Sequence, residues 1–227
     1  MRPSSLMRSV EDPVSLAAEC KTHEILGQRP RMTNFFVLFF MKNPFQKKLQ
    51  EIIRVDHAGE MGAKVIYDGQ IAALKLKKDH EGVKLVQHMK DQEVVHFDYF
   101  DAEIKRQKIR PTLMQPIWKV GGYALGFLTA LVDKKAAMTC TTAVEETIDE
   151  HYQEQIVTLT KEENSADEKD KVELKNLREK IQKFRDEELE HRDIAYDNHA
   201  ADLKGFAPLS AFIKCTTKFA IAVSKRV

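Results

Sequence analysis

The chain has 227 residues, and its 36 Lys and Arg against 35 Asp and Glu leave a formal net charge of +1 at pH 7. So even a balance aims no charged field at nucleic acid, and the length suits one domain with a sizeable core plus tails. The three cysteines, Cys20, Cys140 and Cys215, are far apart and form no C-x-x-C pair, which argues against a disulfide framework or a zinc ribbon and fits a reducing compartment.

Only nine glycines and seven prolines interrupt the chain, and its long periodic runs predict an all-α fold. Residues 1–45 lack strong periodicity and read as a tail or targeting segment. Arg2, Arg8, Arg29 and Arg31 suit a mitochondrial transit segment, whereas Glu11, Asp12, Glu19 and Glu24 do not. The folded domain is expected over residues 46–227. Helical periodicity runs from about Gln46 to Lys77 and from about Glu81 to Arg106, and a breaker at Lys108 to Pro111 then separates two halves. A third helical stretch starts near Pro116 and passes Asp133, in one or two pieces, to about Lys161. It holds the longest apolar run, Val120 to Val132, thirteen residues where a bilayer span takes about 20. The acidic stretch Lys161 to Asp170 reads as a solvated loop and helix start. The fourth helix then runs to about Leu203, with a stop at Lys204 to Pro208. The last helix, Pro208 to Ser224, is amphipathic. It carries Leu209, Phe212, Ile213, Phe219, Ala220 and Val223 on one side and Lys214, Lys218 and Lys225 on another. That pattern suits a helix lying in a lipid interface with its lysines near anionic head groups.

Two of these helices put polar residues where leucines belong. In the fourth, Leu174, Leu177, Ile181, Phe184, Glu188, His191, Ala195 and Asn198 follow one another by steps of three and four, the spacing of a buried helix face. Asp186, Glu187, Glu190 and Asp193 fall off that seam and read as solvated. The second helix repeats the pattern with Val86, Met89, Glu93, His96 and Phe100. Each E-x-x-H helix follows a helix with a lone glutamate on its core stripe. Glu60 lies with Ile52, Asp56, Ala63, Tyr67 and Leu74; Glu145 lies with Thr141, Ile148, Tyr152 and Leu159. The lone glutamate precedes the paired one by 33 residues in the first half and 43 in the second, the excess being the length of the acidic loop. This echo implies an internal duplication of a helical hairpin.

A buried carboxylate beside a buried imidazole costs several kcal/mol unless something compensates it. Two E-x-x-H pairs decide little by count; their place in the seams decides more. Four helices supplying Glu, Glu-x-x-His, Glu and Glu-x-x-His form the ligand set of di-iron carboxylate bundles. Carboxylates suit iron because they are hard and anionic and can bridge two ions. The competing bland reading is a buried salt-bridge network without metal. His57 lies near the site without ligand spacing, and both a role behind a ligand and a surface role stay open for it. His151 and Tyr152, two turns after Glu145, are further candidates, one of them lining the cavity, although Tyr152 could simply pack. His23, His80, His88 and His199 read as ordinary, and Met89 and Met114 as gap fillers.

The segments "IIRVDHAGEMGA" around Glu60, "DQEVVH" ending at His96, "AMTCTTAVEE" around Glu145 and "KFRDEELEHRDI" around His191 resemble the demethoxyubiquinone hydroxylase family. The resemblance covers about Lys47 to Val227. It implies a ferritin-like four-helix bundle of two hairpins, with a membrane-associating apolar segment and the C-terminal amphipathic helix. It also implies two iron ions held by Glu60, Glu93, His96, Glu145, Glu188 and His191, with Glu93 and Glu188 as the paired carboxylates. The implied reaction inserts one oxygen atom from O2 into the ring of a polyprenylated ubiquinone precursor, with NADH as electron source. Members of the family sit peripherally on the matrix side of the inner mitochondrial membrane, or on the cytoplasmic side of the bacterial inner membrane. They work with a lipid-binding partner of the ubiquinone-synthesis complex. No G-x-G-x-x-G nicotinamide fingerprint is present, and the segments "GGYALGF" and "TIDEHYQEQ" depart from the family pattern.

Competing readings are a di-iron quinol oxidase, which would reduce oxygen to water, and a ferritin-like iron store, which would not need the apolar run. A rubrerythrin would need a rubredoxin-like cysteine pair, and a non-enzymatic helical scaffold would leave six ionisable seam residues unexplained.

Overall fold

The computed structural model describes residues 44–226; the expected tail over residues 1–45, and His23 within it, lie essentially outside them. Six α-helices and one short 3₁₀ turn make up the described residues, with no strand among them. They are α1 (Pro44–Leu76), α2 (His80–Arg106), α3 (Gln115–Val132), α4 (Lys134–Ser165), α5 (Glu168–Asp197), the turn Ala200–Asp202 and α6 (Phe206–Ser224). The all-α expectation holds. Helices α1 and α2 pair as one hairpin and α4 and α5 as the other. The long connection between the hairpins carries α3, which packs on α1, while α6 packs on α4.

The boundaries follow local chemistry. The third helical stretch divides in two at Asp133, whose extended backbone ends α3 and whose carboxylate caps α4 by accepting from the Lys135 N–H at 2.7 Å. Asp79 caps α2 in the same way through Gly82 N–H, and Asp167 caps α5 through Asp170 N–H. Helix α4 runs to Ser165, four residues beyond the expected end, so part of the acidic stretch is helical. Helix α5 stops at Asp197 rather than near Leu203. His199 there adopts a left-handed φ of 66°, and a 3₁₀ turn replaces the last expected turn of helix.

Both seams are buried throughout. Val86, Met89, Glu93, His96 and Phe100 of α2 are all 0% exposed. In α5, Leu174 through Ala195 of the seam are buried, and only Asn198 at the helix end is part-exposed. Asp186, Glu190 and Asp193 are exposed as expected.

Helix α3 is seated by glycine. A Cβ on Gly126 would penetrate the Ile66 carbonyl oxygen, and one on Gly69 would meet the Tyr123 carbonyl, so the backbones of α1 and α3 touch. Only Gly126, Thr129 and Ala130 of α3 are buried. Its other face shows Ile117, Val120, Tyr123, Leu128, Leu131 and Val132 to the outside. Helix α6 also turns Phe212 and Phe219 outward, at 60% and 63% exposure. Its lysines are placed differently from the expectation of head-group contact. Lys214 pairs with Glu146 at 2.5 Å and Lys218 with Glu150 at 2.8 Å, both on α4. These pairs tie α6 to the bundle, where Ile213 is buried and Leu209 packs against the core, and they leave Phe212 and Phe219 facing out.

Candidate metal centre

The four bundle helices bring the six seam residues together. Glu60, Glu93, His96 and Glu188 form one group whose donor atoms lie within 4.8 Å of one another, and Glu93, Glu145, Glu188 and His191 form a second. Glu93 and Glu188 belong to both groups, so they stand where two neighbouring ions would share carboxylates. All six residues are at most 2% exposed.

Both histidines turn Nδ1 inward. His96 Nδ1 lies 3.0 Å from Glu188 Oε1 and 3.3 Å from Glu60 Oε2; His191 Nδ1 lies 3.1 Å from Glu188 Oε2 and 3.2 Å from Glu93 Oε1. The outward Nε2 of His96 donates to Glu187 Oε2 and that of His191 to Gln92 Oε1, each at 2.7 Å. The sequence reading had Glu187 solvated. In the fold it is part-buried, because its side chain reaches across to α2.

The lone glutamates are held by tyrosines of the opposite hairpin. Tyr67 on α1 donates to Glu145 Oε1 at 2.7 Å, and Tyr152 on α4 donates to Glu60 Oε1 through a short hydrogen bond. Each tyrosine follows the lone glutamate of its own helix by seven residues. That repeated spacing was the signal by which Tyr67 could have been found alongside Tyr152.

The cluster leaves several of its buried oxygens unpaired. Glu60 Oε2, both oxygens of Glu93 and Glu145 Oε2 are buried without a hydrogen-bond partner. Burial, and then the neighbouring carboxylates, push Glu93 and Glu145 well above the usual carboxylate range. Burial also raises Glu188, but hydrogen bonds from His191 and His96 outweigh it and hold Glu188 below that range. For His96, burial opposes protonation, yet the hydrogen bond to Glu188 and the nearby Glu60 carboxylate raise it to about 12; His191 is raised by Glu188 in the same way. Two divalent cations would neutralise four carboxylates, satisfy the orphaned oxygens and replace the imidazole protons. The donor set of hard oxygens with two imidazoles is one that iron accepts.

An apolar cavity of about 390 Å³ reaches one side of this cluster. It lies between α1, α3, α4 and α6, and Glu60 and Tyr152 are part of its lining, whereas Glu145 and His191 are not. Trp118 on α3 and Ser224 on α6 meet across it, indole Nε1 donating to Oγ at 3.1 Å. His151 also lines the cavity, so both His151 and Tyr152 face it, where the sequence points to one of them. His151 Nε2 meets the Gln155 amide at 2.8 Å, and that amide donates to the buried Asp56 at 2.6 Å. Burial raises Asp56 well above the usual carboxylate range and lowers His151 to about 4.

His57 is buried, against the reading that left a surface role open. Its ring packs at a tilt against Phe97, 5.1 Å between centroids, and lies 3.4 Å from Asp101, and neither residue belongs to the cluster. His80, His88 and His199 are exposed.

Residues 47–224 match the family described as ubiquinone biosynthesis protein COQ7. The chain is 46% identical over 179 residues to a 3-demethoxyubiquinol 3-hydroxylase of Rhodospirillum rubrum, covering 79% of this chain and 78% of that one. It is 42% identical over 187 residues to the human NADPH-dependent 3-demethoxyubiquinone 3-hydroxylase, mitochondrial, covering 82% of each. With the yeast 5-demethoxyubiquinone hydroxylase, mitochondrial, it shares 37% over 183 residues, 79% of this chain and 78% of that protein. The matched span takes in all four motifs and every helix of the bundle, and on that extent of likeness the chain belongs to the ubiquinone biosynthesis protein COQ7 family.

Proposed function

We propose that this chain is the hydroxylase of ubiquinone biosynthesis that places an oxygen atom on the benzoquinone ring of a polyprenylated demethoxyubiquinone. In this reading two iron ions are held by Glu60, Glu93, His96, Glu145, Glu188 and His191. The observation that carries it is the opening of a buried two-position donor cluster, through Glu60, onto an apolar cavity. The likeness to hydroxylases named for this substrate supports it independently.

Bound iron would supply the activation of O2, one atom entering the ring as hydroxyl and the other leaving as water. The two electrons come from a reduced nicotinamide. Several relatives are named for NADPH, whereas the sequence reading took NADH. The protein's own part is placement and exclusion of water. Apolar walls from α3 and α6 receive the ring, and its reacting carbon comes to the Glu60 end of the cavity. Tyr152 and Tyr67 hold one oxygen of each lone glutamate and leave the other free for the cluster. Asp56, Gln155 and His151 lead from that end of the cavity toward a small polar pocket with Lys48, Glu51 and Lys225. They offer a route for protons that avoids the lipid side.

A tailed quinone lives in lipid, so the enzyme works at a membrane surface. Helix α6 is long and apolar enough to cross a membrane, and little of it is buried. Its ion pairs to Glu146 and Glu150 favour lying on the surface instead, with Phe212, Phe219 and the outer face of α3 in one leaflet. The eukaryotic relatives are named mitochondrial, and the site of attachment would be the matrix face of the inner mitochondrial membrane, or the cytoplasmic face of the inner membrane in a bacterium. A lipid-binding protein partner would deliver substrate there.

The test is turnover of a tailed demethoxyquinone under air with reduced nicotinamide, followed by mass spectrometry. A quinone heavier by one oxygen supports the proposal. Oxygen consumption with the quinone unchanged points to an oxidase, and accumulation of ferric mineral to an iron store; either would overturn it.

A further inference from the structure

The two halves of the cluster supply the same donors. Each has one lone glutamate held by a tyrosine and one histidine presenting Nδ1, and both share Glu93 and Glu188. The halves differ in what stands behind the histidines. The residue just before each shared glutamate crosses to the histidine of the opposite helix. On α5 that residue is Glu187, which accepts from His96; on α2 it is Gln92, which accepts from His191. One imidazole is thus backed by a carboxylate and the other by a neutral amide. Lys183 lies 3.1 Å from Glu187 Oε1 and leaves Oε2 to His96.

We propose that this pair of residues makes the two metal positions unequal, with the position at His96 holding its ion the more tightly. The inference rests on the metal reading above. An imidazole N–H donated to a carboxylate shifts electron density to the other ring nitrogen and strengthens it as a ligand. An amide oxygen, carrying no full charge, does so less. Donor identities are otherwise matched, so the backing residues decide the order. The favoured position is also the one that contains Glu60, the glutamate lining the cavity. The position at His191, on the side away from the cavity, fills last and empties first. Glu187 and Gln92 act through the histidines, as positioning residues rather than catalytic ones.

The test is anaerobic titration of the full-length, metal-free protein with Mn(II), following free Mn(II) by electron paramagnetic resonance. One equivalent of ⁵⁷Fe(II) is then examined by Mössbauer spectroscopy. The wild type should bind two ions in separate steps and show one dominant iron environment at one equivalent. Glu187→Gln should weaken the first step about 10- to 100-fold, the range for lost partners of a ligating histidine, and yield a mixture of environments. Gln92→Glu should strengthen the second step and is the independent check should Glu187→Gln not fold. Two equal steps in the wild type, or a first step untouched by Glu187→Gln, would overturn the inference while leaving the metal reading intact. Fewer than two ions bound by folded wild type would overturn the metal reading itself.

Discussion

Gly126 and Gly121 lie on the same helix and should respond to alanine with opposite signs. A Cβ at Gly126 would overlap the Ile66 carbonyl oxygen and sit 2.7 Å from the carbonyl carbon. Both atoms are backbone of α1, so no side-chain rotation relieves the overlap and α3 must lift. At Gly121 nothing lies within 4 Å. Either alanine gains about 1 kcal/mol of helix propensity, so that gain cancels in the difference between the variants. What remains is overpacking at position 126, about 1–3 kcal/mol. At roughly 2–4 °C per kcal/mol for a chain of this size, Gly126→Ala should melt about 2–12 °C below Gly121→Ala. Thermal unfolding by circular dichroism reads the global part. Hydrogen exchange of the α3 amides reads any separate loosening of that helix, which walls the cavity. Equal melting and equal exchange in the two variants would refute the claim that α1 and α3 are in backbone contact.

The ligand roles predict that Glu188→Gln and His191→Ala each lose more than about 100-fold in metal affinity, since even partners of ligands are worth 10- to 100-fold; metal analysis of the folded variants checks this. Saturation with Fe(II) or Mn(II) at 100 times Kd should stabilise the protein by about 2.7 kcal/mol for each filled position, and an unchanged melting temperature would mean that the carboxylates are not a binding cluster. In the metal-free protein His96 and His191 titrate above their ordinary 6.5, and Glu93 and Glu145 above their ordinary 4.5. The histidine contribution to stability is full below pH 6.5 and fades as pH rises through the folded values, and the raised glutamates act in the same direction from pH 4.5 upward. The metal-free protein should therefore melt higher at pH 6 than at pH 8.5, and metal, which displaces those protons, should reverse the slope. Replacing Phe212 and Phe219 by Ser should reduce flotation with anionic liposomes while salt removes only part of wild-type binding; undiminished flotation would place the membrane surface elsewhere.

What the sequence disclosed is what helix geometry alone decides. The 3/4 alternation through Leu177, Ile181, Phe184, Glu188 and His191 forces those side chains onto one face whatever the tertiary fold, and all are buried. Residues that act by reaching between helices were less legible. Glu187 is off the seam by periodicity, yet its length carries it to His96. Tyr67 was visible as core but not as the partner of Glu145, because that contact depends on how the hairpins face each other. Lys214 and Lys218 looked like head-group contacts because nothing in α6 alone reveals Glu146 and Glu150 opposite them. The close seat of α3 was carried by Gly69 and Gly126, residues with no periodic signature. The duplication held information that periodicity within one helix did not: Tyr67 and Tyr152, like Gln92 and Glu187, occupy matching offsets from the glutamates in the two halves.

The central claim is that this cluster places an atom of O2 on a quinone ring. Turnover under ¹⁸O2 with iron-loaded protein and a demethoxyquinone tests it most directly, read by mass spectrometry of the product beside the Glu188→Gln variant. The account predicts one ¹⁸O atom in the new hydroxyl for wild type and no product for the variant. A product carrying oxygen from water, or equal labelled product from Glu188→Gln, would contradict it.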